Sequence, residues 1–147
     1  MATEPQRVIF VCTHNSARSQ MAEGMLRAWG GGRFRALSAG TEVTLVRPEA
    51  ISVMSEIGID ISGQSSKTLE PFIGESFSWL ITVCDDAREA CPTLAGVRRQ
   101  LHWSIDDPSR VEGDEAARLS AFRAARDALA TRIRHFLRTQ AGDSGPG

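Results

Sequence analysis

At 147 residues the chain is one domain of ordinary size, long enough to bury a single good core. With 41% apolar and 24% charged residues its composition is that of a globular protein in water, and its net charge of -1 gives no general attraction to nucleic acid or an anionic membrane. Any anion it binds must be held by a local site.

The opening MATEPQR has no apolar core of a signal peptide, and no apolar run approaches ~18 residues, so neither secretion nor membrane insertion is expected and a cytoplasmic location follows. RVIFVC, ending on Cys12, reads as a short buried strand, because β-branched and aromatic residues run on without alternation. SQMAEGMLRAWG follows as a helix, with Met21, Met25, Leu26 and Trp29 at helical spacing and glycines to stop it. FRALSAG is a second strand, and RPEAISVMSEIG a second helix with Pro48 suited to its first turn and Gly58 to its cap. SFSWLITVC is a third buried strand, again ending on a cysteine, Cys84. DDAREAC reads as a short helix cut off by Pro92, and QLHWSI as a fourth strand before the loop DDPSRVEGD. From Asp114 to about Arg138 a long helix carries Leu119, Phe122, Leu129, Ile133 and Phe136 on one stripe, with Arg123, Arg126, Arg132 and Arg134 on a solvated face. The three tryptophans are expected in the core, and residues 141–147 form a disordered tail after a single domain over 1–140.

Alternation of apolar strands with helices argues for an α/β fold, a parallel sheet covered by helices. In such sheets ligands sit beyond the carboxyl ends of the strands. Cys12 and Cys84 lie at two such ends, and Asp106 and Asp107 follow a third, so one crevice should gather them.

The segment Thr13, His14, Asn15, Ser16, Ala17, Arg18, Ser19 lies between the first strand and the first helix. Its successive backbone N–H groups can curl into an anion-binding nest aimed with the helix N-terminus. Asn15 tolerates the left-handed conformation that a tight loop needs. Arg18 supplies a planar fork of donors matched to a tetrahedral oxyanion. A thiol at the mouth of this positive potential is expected to ionise readily, with Ser19 placed to donate a hydrogen bond to the thiolate. A bare C-x5-R pattern also fits a buried strand-end cysteine beside a solvated arginine. The strand-loop-helix context, Asn15 and Ser19 favour the nucleophile. His14 reads as a partly exposed loop residue. The histidines and cysteines have no zinc-site spacing, and no bound metal or cofactor is expected.

The run from Cys12 to Gly24, CTHNSARSQMAEG, resembles the signature loop of the low-molecular-weight protein tyrosine phosphatases and of the arsenate reductases built on that fold. QMAE is similar to the reductase branch, whereas the phosphatases usually carry proline at Gln20. The resemblance continues through SAG at Ser38 to Gly40, RPEAI, CDDAREACP and HWSIDDP, nearly the whole chain up to Pro108. It implies a three-layer sandwich with a four-stranded parallel sheet in the flavodoxin-like order 2-1-3-4. It also implies arsenate as substrate, thioredoxin as electron donor, and Asp107 of the Asp-Pro motif as general acid. Asp106 is expected to be solvated surface.

A phosphatase needs one cysteine, and this chain also has Cys84 and Cys91. The resemblance implies a relay: Cys12 attacks arsenate, Cys84 attacks Cys12 to expel arsenite, and Cys91 takes over the disulfide for thioredoxin to open. Seven residues of helix rise about 10.5 Å, whereas a disulfide needs Cα atoms within about 7 Å, so the segment from Cys84 to Cys91 is expected to unwind when oxidised. Some thioredoxin-coupled relatives bind potassium through positions matching Asn15, Glu23, Ser38 and an aspartate. That last position is Lys67 here, whose ammonium would replace the ion and pair with Glu23. Ser109 stands where the phosphatases often carry tyrosine, and the chain has no tyrosine at all. The alternatives are a low-molecular-weight phosphatase acting through a Cys12 phosphocysteine, and a redox-sensing or oxyanion-binding module without turnover. Mycothiol or glutaredoxin remain other possible reductants, and a monomer is expected.

Overall fold

The computed structural model describes residues 5–84 and 94–143. Seven regular elements follow in chain order: β1 Gln6–Cys12, α1 Arg18–Trp29, β2 Phe34–Gly40, α2 Pro48–Ser55, β3 Phe77–Thr82, β4 Val97–His102 and α3 Glu115–Asp143. The strands form one parallel sheet in the order β2-β1-β3-β4, the expected topology. β1 and β3 are central and almost wholly buried, which is why both are continuous apolar runs.

Alternation along β1 divides the core. Val8, Phe10 and Cys12 face a cluster shared with Met21, Met25 and Leu26 of α1, Val53 and Met54 of α2, and Phe122, Leu129, Ile133 and Phe136 of α3. Ile9 and Val11 face the other way, where Phe72, Phe77 and Leu80 lie, with Leu69 and Leu94 packed against them. The short helix expected over DDAREAC lies outside the described residues, and with it Cys91.

Several boundaries differ from expectation, and α2 and β3 stop short of their expected ends, at Ser55 and Thr82. β4 begins three residues early, at Val97, and ends at His102, with Phe77 opposite Val97 and Thr82 opposite His102. It is an edge strand paired on one side, so Arg98, Arg99 and Gln100 stay exposed. Trp103, whose N–H still donates to the Thr82 carbonyl at 2.8 Å, and Ile105 lie past the end of β4 and bury, Trp103 with its ring centroid 6.0 Å from Phe10 and 6.5 Å from Phe136. α3 runs to Asp143, three residues into the expected tail. The arginine face of α3 is only partly solvated. Arg126 donates to the Val53 carbonyl at 2.9 Å and to Glu56 at 2.7 Å, tying α3 to the end of α2. Arg134 lies over the half-buried ring of Trp29, 4.7 Å from its centroid. Trp79 and Trp103 are core residues as expected. Among the described residues no helix is long and apolar enough to cross a membrane.

Candidate active site

The carboxyl ends of β1, β3 and β4 gather the residues that the sequence marks. β1 ends at Cys12, and the chain turns through Thr13–Ala17 before α1 begins at Arg18. Asn15 makes that turn with φ of 49°, the one non-glycine residue with positive φ among those described. The bend aims the Asn15 N–H at Cys12 Sγ, 3.2 Å away. Ser19, one residue into α1 from Arg18, brings its Oγ to 2.9 Å from the same sulfur. That hydroxyl accepts from Asn15 Nδ2 at 2.8 Å, leaving its own proton for Cys12. Asn15 and Ser19 are fully buried, and Cys12 is a free thiol with 2% exposure. Two polar contacts thus converge on one buried sulfur.

Gly40 closes the loop from behind. It pairs with Cys12 across the β1–β2 ladder. A Cβ there would stand 2.7 Å from the carbonyl oxygens of Cys12 and Thr13 and 2.9 Å from Asn15 N. Thr41 N and Glu42 N donate to the Thr13 carbonyl at 2.9 and 3.0 Å, and Arg47 N donates to the Ser16 carbonyl at 2.9 Å. His14 is half-exposed, with Nε2 3.7 Å from Glu42. Ala17 is buried, and Thr13 and Ser16 are half-buried.

Arg18 is buried and spans the ends of three strands. Its Nη1 donates to the carbonyls of Val83 at 3.2 Å and Ile105 at 3.0 Å, and its Nη2 lies 3.6 Å from Asp107 Oδ2. Asp107 Oδ1 accepts from Ser109 N at 3.0 Å and Ser109 Oγ at 2.6 Å, which caps the turn Pro108–Arg110. Arg110 Nε is 3.7 Å from Oδ2. The carboxylate is thus oriented on one side and left beside Arg18 on the other. Asp106 is exposed, as expected.

Cys84 is fully buried just past β3. Its Sγ lies 3.9 Å from the Val11 carbonyl, on the strand that carries Cys12. Both cysteines are free thiols.

Behind the loop, buried Glu23 accepts from Ser38 and pairs with Arg27, and Lys67 Nζ stands 3.9 Å from Glu23 Oε1 and 2.7 Å from the Ser65 carbonyl. Lys67 therefore does face Glu23. Burial pushes the pKa of this ammonium down; Glu23 opposes that shift and Arg27 adds to it. Glu23, Arg27, Ser65 and Lys67 line a cavity of about 420 Å³ with Asp60, Gly63 and Gln64. Among the described residues no group of three or more His, Cys, Asp or Glu is arranged to hold a metal ion.

The model of the low molecular weight phosphotyrosine protein phosphatases matches residues 7–143. The chain belongs to that family. Its relatives within the family include the arsenate reductase of Halalkalibacterium halodurans, 39% identical over 132 residues that cover 90% of this chain and 95% of that one. The arsenate reductase of Bacillus subtilis is 37% identical over 136 residues, covering 92% and 98%. A solved arsenate reductase in the phosphate binding state superposes with a TM-score of 0.78 at 34% identity, covering 91% of this chain and 98% of that one. The family fold thus extends over nearly the whole chain, in the strand order expected.

Two features of this family site had only a weak signal in the sequence. Gln20 and Gln64 carry hydrogen bonds behind the loop, yet Gln20 drew notice only as a departure from proline and Gln64 not at all. Gln20 falls in the QMAE motif, which says nothing of its partners, and Gln64 falls in no pattern that periodicity or motif spacing could mark.

Proposed function

We propose that this chain reduces arsenate to arsenite, with Cys12 as nucleophile and the electrons supplied by a Cys12–Cys84–Cys91 relay that thioredoxin regenerates. The observation that carries the reading is a second buried thiol, Cys84, with its sulfur 3.9 Å from the carbonyl of the residue preceding Cys12. Hydrolysis of a phosphocysteine needs no second thiol, whereas a two-electron reduction does. The arsenate reductases among its relatives support the same reading.

Arsenate would sit on the loop amides of Thr13–Ser19 and the Arg18 guanidinium, above the Cys12 sulfur. The Cys12 thiolate attacks arsenic and one oxygen departs as water, protonated by Asp107. Substrate engaging Arg18 competes for the 3.6 Å contact with Asp107 and turns Oδ2 toward the departing oxygen. Cys84 then attacks the Cys12 sulfur. The electron pair of the S–As bond passes to arsenic, which leaves as arsenite, and a Cys12–Cys84 disulfide forms. Cys91 attacks Cys84 and frees the Cys12 thiolate, and a reduced thioredoxin dithiol opens the resulting Cys84–Cys91 disulfide. Two electrons enter as dithiol and leave in As(III).

The test is arsenate-dependent NADPH oxidation with thioredoxin and thioredoxin reductase, for the wild type, Cys84→Ser and Cys91→Ser. Turnover in the wild type and its loss in both variants is the expected result. A silent wild type that hydrolyses p-nitrophenyl phosphate, unaffected by either substitution, would make the chain a phosphatase.

A further inference from the structure

The contacts at Cys12 are the inner end of a longer run of hydrogen bonds that starts on the surface of α1. Arg27 Nη1 donates to Gln64 Oε1 at 2.9 Å. Gln64 Nε2 donates to Gln20 Oε1 at 2.8 Å and to the Gln20 main-chain carbonyl at 3.0 Å. Gln20 Nε2 donates to Asn15 Oδ1 at 2.9 Å, to the Asn15 main-chain carbonyl at 3.0 Å and to the Ser65 carbonyl at 2.9 Å. Asn15 Nδ2 then donates to Ser19 Oγ, and Ser19 to Cys12 Sγ. Gln20 is fully buried.

The direction of each bond as far as Ser19 is set by a group that cannot reverse, and Ser19, accepting from Asn15, keeps its own proton for the sulfur. A guanidinium only donates, so the Gln64 atom facing Arg27 is oxygen. Main-chain carbonyls only accept, so the Gln64 atom facing Gln20 O is nitrogen, and so is the Gln20 atom facing Asn15 O and Ser65 O. Lys67 N–H, 2.8 Å from Asn15 Oδ1, identifies that atom as oxygen. Asn15 must therefore present its amide protons to Ser19. Bonds aligned head to tail polarise one another, and all of these point from the Arg27 cation toward the sulfur. Gln20 acts twice, because its grip on the Asn15 main-chain carbonyl also holds the bend that aims Asn15 N–H at Cys12.

We propose that Gln20 and Gln64 are positioning residues for the nucleophile: through Asn15 and Ser19 they hold a hydroxyl proton on the Cys12 sulfur and favour its thiolate. The inference rests on Cys12 being the nucleophile and adds the residues that make it one. In a chain carrying Cys84→Ser and Cys91→Ser, Cys12 is the one remaining thiol, and the pH dependence of its alkylation by iodoacetamide reads the thiolate without arsenate or thioredoxin. Gln20→Met and Gln64→Met keep side-chain length and remove the amide. Gln20→Met should move the alkylation midpoint upward by about one pH unit and slow the reaction about tenfold at pH values below both midpoints. Gln64→Met, at a half-buried position that leaves the core intact, should move it the same way by less. A merely structural role would lower Tm and leave the midpoint in place. Folded variants that share the wild-type midpoint overturn the inference, as does Gln64→Met matching wild type if Gln20→Met does not fold. A wild-type midpoint at the free-cysteine value of about 8.5 removes the nucleophile reading and this inference together, whereas a low one leaves that reading standing whatever the variants do.

Discussion

Ser19 Oγ lies 2.9 Å from Cys12 Sγ while accepting the Asn15 side-chain amide at 2.8 Å, so the serine proton is directed at the sulfur. A hydrogen bond to a charged group contributes about 1.5–3 kcal/mol. Ser19→Ala should therefore lower turnover roughly ten- to hundredfold. Inorganic phosphate should still bind, since the loop amides and Arg18 remain. Rates and phosphate inhibition measured on the same preparation separate the two effects, and an equal loss in both would argue for a collapsed loop instead.

Asp107→Asn keeps an oxygen to cap the turn Pro108–Arg110 and replaces only the carboxylic acid. Oxyanion affinity should be nearly unchanged, with turnover lower by about 10²–10⁴. Unchanged turnover would take the acid role away from Asp107.

Gly40→Ala places a Cβ 2.7 Å from the carbonyls of Cys12 and Thr13, all rigid main chain. The loop must yield, and a displacement of about 1 Å at reacting groups costs on the order of 10²-fold in rate. Arsenate or phosphatase assays of the variant should show that loss alongside a modest drop in Tm. Wild-type rates would mean that the loop tolerates the shift.

Lys67 Nζ, 3.9 Å from Glu23 and 2.7 Å from the Ser65 carbonyl, places an internal cation behind the loop. Wild-type activity should not respond when K⁺ replaces Na⁺ at constant ionic strength. Activity that rises with K⁺ would count against this role for Lys67. Lys67→Met should slow turnover by removing one of the two cations that face Glu23, leaving Arg27.

Glu56 joins α2 to α3. Hydrogen bonds from Arg123 and then Arg126 pull its pKa from the ordinary 4.5 to about 2. A depressed carboxylate contributes stability above its unfolded value and loses it in acid. The contribution should therefore fade as pH drops from 4.5 through about 2. The pair is solvent-exposed, so the effect is small and screened by salt. The Tm difference between wild type and Glu56→Gln should narrow over that range; a constant difference would mean that the bridge contributes nothing.

Local patterns carried most of the fold. β1, β3 and α1 were legible because a buried central strand must be apolar throughout and a helix must repeat its apolar face. β4 was misplaced because an edge strand can keep Arg98, Arg99 and Gln100 in water, while the apolar Trp103 and Ile105 bury past its end. Arg126 looked solvated because nothing in a helical stripe shows that the Val53 carbonyl and Glu56 wait beside it.

The same division holds at the site. Cys12, Asn15, Arg18 and Ser19 are set within eight residues, where a strand, a tight loop and a helix start leave the chain few other conformations, so sequence alone determined the loop and the side chains gathered at it. Gln20 and Gln64 stand 44 residues apart. Only the packing of α1 against the segment through Ser65 and Lys67 decides that their amides meet, and so which way Asn15 faces. A hydrogen bond between distant polar side chains depends on direction and distance in space, and neither leaves a period in the chain.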